Sequence, residues 1–76
     1  MNKHIKLVEK WLDDKDSVTQ EELEQNKEDA RAAYTATAAA DADAYAAAAD
    51  AAYYAYYADA TDAEFWVKNY YILTGE

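Results

Sequence analysis

Val18-Thr19-Gln20-Glu21-Glu22-Leu23 is the stretch on which the fold turns. Thr19 with Glu22 three residues later matches a capping box, in which each side chain accepts the other residue's free backbone N–H. Val18 and Leu23 stand at the N′ and N4 positions of a hydrophobic staple. Glu21, Glu22 and Glu24 suit the positive end of a helix dipole. Downstream, no Gly or Pro interrupts the chain before Gly75, and 19 Ala lie between Ala30 and Ala63. Ala is the best helix former. The reading is one long Ala-rich helix over about 20–73, about 80 Å long at 1.5 Å per residue, with Gly75 at its C′ position. Two places for a break stand inside it. Asp41 or Asp43 would cap a restart near 41. Thr61-Asp62-Ala63-Glu64 repeats the capping-box pattern near 61, with Thr61 capping a last helix over 62–73.

Upstream, Ile5, Val8 and Leu12 recur at helical spacing beside Met1, His4 and Trp11, which predicts a short amphipathic helix over about 2–12. Asp13, Asp14 and Asp16 oppose the negative end of that helix and stop it. His4 reads as a partly exposed helix residue. The expected fold is therefore all-α: a short N-terminal amphipathic helix plus the long Ala-rich helix, as a helical hairpin or bundle in one domain, 1–76.

Length and composition exclude much. With 76 residues, the chain buries only about 60% of its unfolded surface. Ala dominates its apolar content, so a lone chain has a thin core, and either a partner chain or self-association into a homo-oligomer is expected. No Cys is present, so there is no disulfide or thiolate site. A single His excludes a two-His metal motif within the chain. Absence of Pro and a lone Gly exclude phosphate-cradling Gly loops. The net charge of −9 disfavours direct binding to nucleic acid or to an anionic membrane. No apolar run approaches the roughly 18 residues of a membrane span. Lys3 and Lys6 precede no uninterrupted apolar segment, because Glu9 and Asp13 break it, so no signal peptide is read.

Two stripes mark the Ala block. Leu23, Asn26, Ala30, Ala33, Thr37, Ala40, Ala44, Ala47 and Ala51 follow a 3-4 spacing, a helix-packing seam of mostly small residues. Leu23, Tyr34, Tyr45, Tyr56 and Val67 repeat every 11 residues, close to three turns, and form a straight stripe on a continuous helix. Tyr53, Tyr54, Tyr56 and Tyr57 fan away from the seam. Aromatic stripes are more often core than ligand site, yet the chain's eight Tyr exceed what so small a core needs. Tyr suits interfaces because its ring buries area while its hydroxyl stays paired.

Catalytic chemistry is not expected. Asp59 and Asp62 sit at i, i+3, but an Ala-rich helix offers no pocket to desolvate them. Asp41-Ala42-Asp43 lacks the Gly and bidentate Glu of a Ca²⁺ loop, so neither metal nor cofactor is called for. From 32 to 67 the chain carries Asp41, Asp43, Asp50, Asp59, Asp62 and Glu64 and no positive charge. A basic groove could accept such a rod as a nucleic-acid mimic. One charge per about 9 Å is sparse, however, beside one per about 1.7 Å on duplex DNA.

The two ends of the chain carry a resemblance. Trp11-Leu12-Asp13-Asp14, then Asp16-Ser17-Val18-Thr19-Gln20-Glu21-Glu22-Leu23-Glu24, resemble the start of small uncharacterised Ala/Asp/Tyr-rich accessory proteins of tailed bacteriophages. Phe65-Trp66-Val67-Lys68-Asn69-Tyr70-Tyr71 and Thr74-Gly75-Glu76 resemble their closing element. The resemblance implies a phage accessory protein in the cytoplasm of the bacterial host cell. It brings no activity and no functional residues.

Together these readings predict a non-catalytic, acidic helical interaction module that binds and modulates a host protein, such as a defence or nucleic-acid enzyme. Its contact residues would be Tyr45, Tyr53, Tyr54, Tyr56 and Tyr57 with Asp41, Asp43, Asp50, Asp59 and Asp62. The alternatives are a self-assembling structural oligomer packed through the Ala seam and, more remotely, a nucleic-acid-mimicking inhibitor.

Overall fold

The computed structural model describes residues 2–37 and 41–75. Among them the chain is all-helical: α1 (Lys3–Asp13), a 3-10 turn (Lys15–Ser17), α2 (Gln20–Ala36), α3 (Ala42–Tyr56) and α4 (Ala60–Thr74). No helix among the described residues is long and apolar enough to cross a membrane.

Caps set the first two helices. The Asn2 side chain accepts from the His4 and Ile5 N–H groups at 2.8 and 3.3 Å and opens α1. The capping box of α2 forms in both directions: the Glu22 N–H donates to Thr19 Oγ1 at 3.1 Å, and the Thr19 N–H donates to Glu22 Oε1 at 3.0 Å. Val18 and Leu23 are both buried, as a staple requires. The Thr19 N–H, then its hydroxyl, hold the Glu22 carboxyl below its ordinary range. The stabilisation from that ionised carboxylate is present above the unfolded-state pKa and is lost as pH falls through the lowered one.

The continuous rod over 20–73 does not form. The molecule measures 35 × 22 × 18 Å, far short of about 80 Å. A lone rod leaves its Ala and Tyr faces in water, and helices gain most of their stability from packing. The first division follows Ala36. The Thr35 and Thr37 hydroxyls donate to the Arg31 and Ala33 carbonyls, and Thr37 is extended at φ −84°, ψ 143°. Asp41 stands at the N-cap position of α3 without a side-chain capping bond, so it does not drive the restart as its composition predicts. Seam residue Ala40 lies outside the described residues.

The second division falls at 57–59, not at 61. Ala58 takes a left-handed backbone at φ 60°. The Asp59 N–H donates to the Tyr54 carbonyl at 2.9 Å and the Ala58 N–H to that of Ala55 at 3.0 Å. This is a Schellman motif with Ala where Gly usually sits. Asp59 rather than Thr61 then caps α4, accepting the Asp62 N–H at 3.1 Å. The turn at Ala58 makes Asp59 the residue just ahead of the new helix, and Asp is at least as good a cap as Thr. Left-handed backbone costs Ala roughly 1 kcal/mol or more. Ala58→Gly is therefore expected to raise the melting temperature by roughly 2–8 °C. A thermal melt showing no rise would contradict the left-handed turn.

Helix α3 is central, packing against α1, α2 and α4, while α2 and α4 do not touch among the described residues. Its share of the core is Ala alone: Ala47, Ala48, Ala51, Ala52 and Ala55, all at most 1% exposed. Ala47-Ala51-Ala55 and Ala48-Ala52 are adjacent i, i+4 ridges. Such small ridges let neighbouring axes approach to the low end of about 8–10 Å. The large side chains come from around α3: Ile5, Val8 and Trp11 of α1, Val18, Leu23, and Val67 and Tyr70 of α4.

His4 is buried at 6% exposure, not partly exposed, and so is Asn26. Their side chains meet at 2.9 Å through His4 Nδ1 and Asn26 Oδ1. Asn26 Nδ2 also donates to the His4 carbonyl at 3.2 Å. Asn26 is buried on α2, and both of these side-chain bonds run to His4 of α1. The pair ties the two helices with its hydrogen bonds satisfied, as burial of polar groups demands.

Candidate interaction surface

The end of α3 and its C-cap carry four of the expected contact residues in about one turn and a half, Tyr53, Tyr54 and Tyr56 in the helix and Tyr57 just after it. Tyr53 and Tyr57 are 47% and 58% exposed, whereas Tyr54 and Tyr56 are half-buried against the core. The rings form a chain. Tyr53 meets Tyr54 edge-on at 5.2 Å, Tyr57 at 4.8 Å, and Tyr57 meets Tyr56 edge-on at 4.8 Å. Edge-to-face pairs of this kind gain about 0.5–1.5 kcal/mol beyond area burial.

Helix α2 holds this cluster from one side. Lys27 Nζ lies 4.5 Å from the centre of the Tyr56 ring and 5.9 Å from that of Tyr57. The Tyr56 hydroxyl donates to Glu24 Oε2 at 3.3 Å, and Gln20 Nε2 donates to the Tyr56 carbonyl at 3.1 Å. Beside the rings, a cleft of about 440 Å³ runs between α2 and α3, with Lys27 and Arg31 facing Asp50, Tyr53 and Tyr54. Burial pushes the Asp50 carboxyl above its ordinary range.

The other expected contacts do not join this surface. Tyr45 is half-buried farther back on α3, and Asp41 and Asp43 are exposed at the opposite end of that helix. Asp59 and Asp62 sit at the α3–α4 corner. Partial desolvation and the neighbouring Asp59 carboxylate hold Asp62 above its ordinary range. The single acidic face needs an unbroken rod, and the turn at Ala58 divides it. The 11-residue stripe is divided at both breaks, after Ala36 and at Ala58: Leu23 and Val67 are buried, Tyr34 is exposed, and Tyr45 and Tyr56 lie between. Of the seam, Leu23, Ala30, Ala47 and Ala51 are buried within this one chain, while Ala33 and Ala44 are half-buried.

Lys27 and Arg31 were not among the expected contacts. Their signal was available: they are the only basic residues between Lys15 and Lys68, one turn apart. On α4, Phe65 and Ile72 add further exposed apolar surface at 58% and 78%.

No family model matches the chain, and no curated protein or solved structure shows significant similarity to it.

Proposed function

We propose that this protein is a non-catalytic interaction module that binds another protein through the Tyr surface at the end of α3, flanked by Lys27 and Arg31. The observation that carries the reading is the pair Tyr53 and Tyr57. Both rings stand about half exposed, yet they are already fixed against each other at 4.8 Å. Rings ordered before binding lose little conformational entropy in a complex, which favours affinity. Interfaces are enriched in Tyr and Arg for this kind of contact. In this reading the helices form a small bundle whose Ala seam works inside one chain and whose Tyr face points outward. The resemblance of the chain ends to bacteriophage accessory proteins is the reason to seek the partner among bacterial host proteins.

The test compares capture from bacterial lysate by the wild-type chain and by Tyr53→Ala/Tyr57→Ala. These two rings are chosen because Tyr54 and Tyr56 pack on the core, so their removal would confound binding with folding. Loss of one stoichiometric partner with helical circular dichroism unchanged is the expected result. Undiminished capture by the variant would refute the Tyr surface.

A further inference from the structure

On another face of the molecule, α1 and α4 form a second groove, of about 430 Å³. Its floor is apolar: Leu12 of α1 with Val67 and the Tyr71 ring of α4. Its rim carries Glu9, Asp13 and Glu64 with Lys68, and the charge of Lys15 also reaches Glu64. Lys68 is already engaged, since its Nζ lies 2.9 Å from Glu64 Oε1. Glu9 Oε1 accepts the Tyr71 hydroxyl at 2.7 Å, which fixes the ring as a wall of the groove. A smaller hollow, lined by Thr61, Glu64, Phe65 and Lys68, continues from it. Across the Glu64–Lys68 pair the groove thus reaches Phe65, which is 58% exposed.

From this geometry we propose that the α1–α4 groove is a docking site for a basic amphipathic helix of a partner protein. Charge complementarity selects the occupant. The rim offers Glu9, Asp13 and Glu64 against Lys68, which is already paired, and Lys15, whose charge also reaches Glu64, on a chain of net charge −9. A second copy of the same chain would bring the wrong sign of charge. An apolar floor with a charged rim between two helices is the arrangement that receives a helix presenting i, i+3, i+4, i+7 anchors. Leu12, Val67 and Tyr71 receive the apolar side chains, and Glu9, Asp13 and Glu64 receive the basic ones. Lys68 acts as a resident competitor that the incoming cation displaces from Glu64. The proposal uses none of the α3 Tyr residues, so it stands or falls apart from the Tyr surface.

The experiment titrates the protein with a capped Leu/Lys amphipathic peptide of about four turns and with a Leu/Glu peptide of the same pattern. Binding is read by calorimetry and by NMR shifts. The Leu/Lys peptide is expected to bind and to shift Leu12, Val67 and Tyr71, and the Leu/Glu peptide is not. Asp13→Asn/Glu64→Gln is expected to weaken binding about tenfold or more, whereas Asp41→Asn/Asp43→Asn, an equal change in charge, costs less than about threefold. Lys68→Ala is expected to tighten binding by roughly threefold, because it frees Glu64 from a surface pair of little structural value. Both charge variants alter exposed side chains, so folding is retained. Failure of the Leu/Lys peptide to bind, equal losses from the two charge variants, or weakening by Lys68→Ala would each overturn the proposal.

Discussion

Replacing Trp11 by Ala is expected to remove about 3–5 kcal/mol of stability, the usual cost of emptying a buried Trp site. A chain of 76 residues holds about 4–11 kcal/mol in total, so the variant stands near the edge of folding. In a thermal melt the loss corresponds to roughly 15–30 °C. The size of the effect follows from how the core is composed. Helix α3 contributes only Ala to it, so the apolar bulk must come from a few side chains around α3, and Trp11 is the largest of them at 5% exposure. Lys15 Nζ lies over the ring at 4.9 Å and donates to the Leu12 carbonyl, so the same residue also anchors the end of α1 and the turn after it. Trp11→Phe refills part of the volume and is expected to recover about half of the loss. Urea denaturation of both variants decides the matter. A loss below about 1 kcal/mol for Trp11→Ala, the range of an exposed site, would show that α1 does not pack as described.

The features legible in the sequence are those that depend on residues close in the chain. The capping box at Thr19 and Glu22 needs only four residues, and it forms with both bonds. Gly75 closes α4 with a left-handed backbone at φ 75° and its N–H on the Tyr71 carbonyl. The 3-4 spacing reports which side of each helix is small, and Leu23, Ala30, Ala47 and Ala51 are buried on that side. The breaks were legible only in part. Ala58 carries no local signal, because Ala reaches a left-handed backbone only when packing over-determines it. That residue divides the acidic face, and together with the break after Ala36 it undoes the 11-residue stripe, since each pattern assumes that phase is kept from one helix to the next. The Tyr53–Tyr57 cluster survives the break because it lies ahead of Ala58, with Tyr53, Tyr54 and Tyr56 in α3 and Tyr57 at its C-cap. The contribution of Lys27, Glu24 and Gln20 to it comes from a helix some thirty positions earlier, and spacing along one helix cannot report a contact between two.

The Ala-only face of α3 also explains how a chain with so little apolar bulk makes a core at all. Three helices surround α3, and each must approach it closely if the few large side chains are to meet over it. Ala51 is 0% exposed with Ala47, Ala52 and Ala55 beside it, so it has no open side into which a longer side chain could turn. Ala51→Leu is therefore expected to cost about 2–3 kcal/mol through overpacking, a fall of roughly 8–20 °C in melting temperature. Leu is nearly as good a helix former as Ala, so propensity accounts for only a small part of that loss. Ala32→Leu on exposed α2 surface is the matched control and is expected to stay within about 0.5 kcal/mol of wild type. The same substitution separates seam packing inside one chain from seam packing between chains. Within one chain, the melting temperature of Ala51→Leu falls equally at every protein concentration. Between chains, its loss shrinks as concentration rises and the sedimenting mass changes with it. A concentration-independent fall is the expected outcome. A mass that drops in Ala51→Leu at unchanged helicity would assign the seam to an oligomer instead.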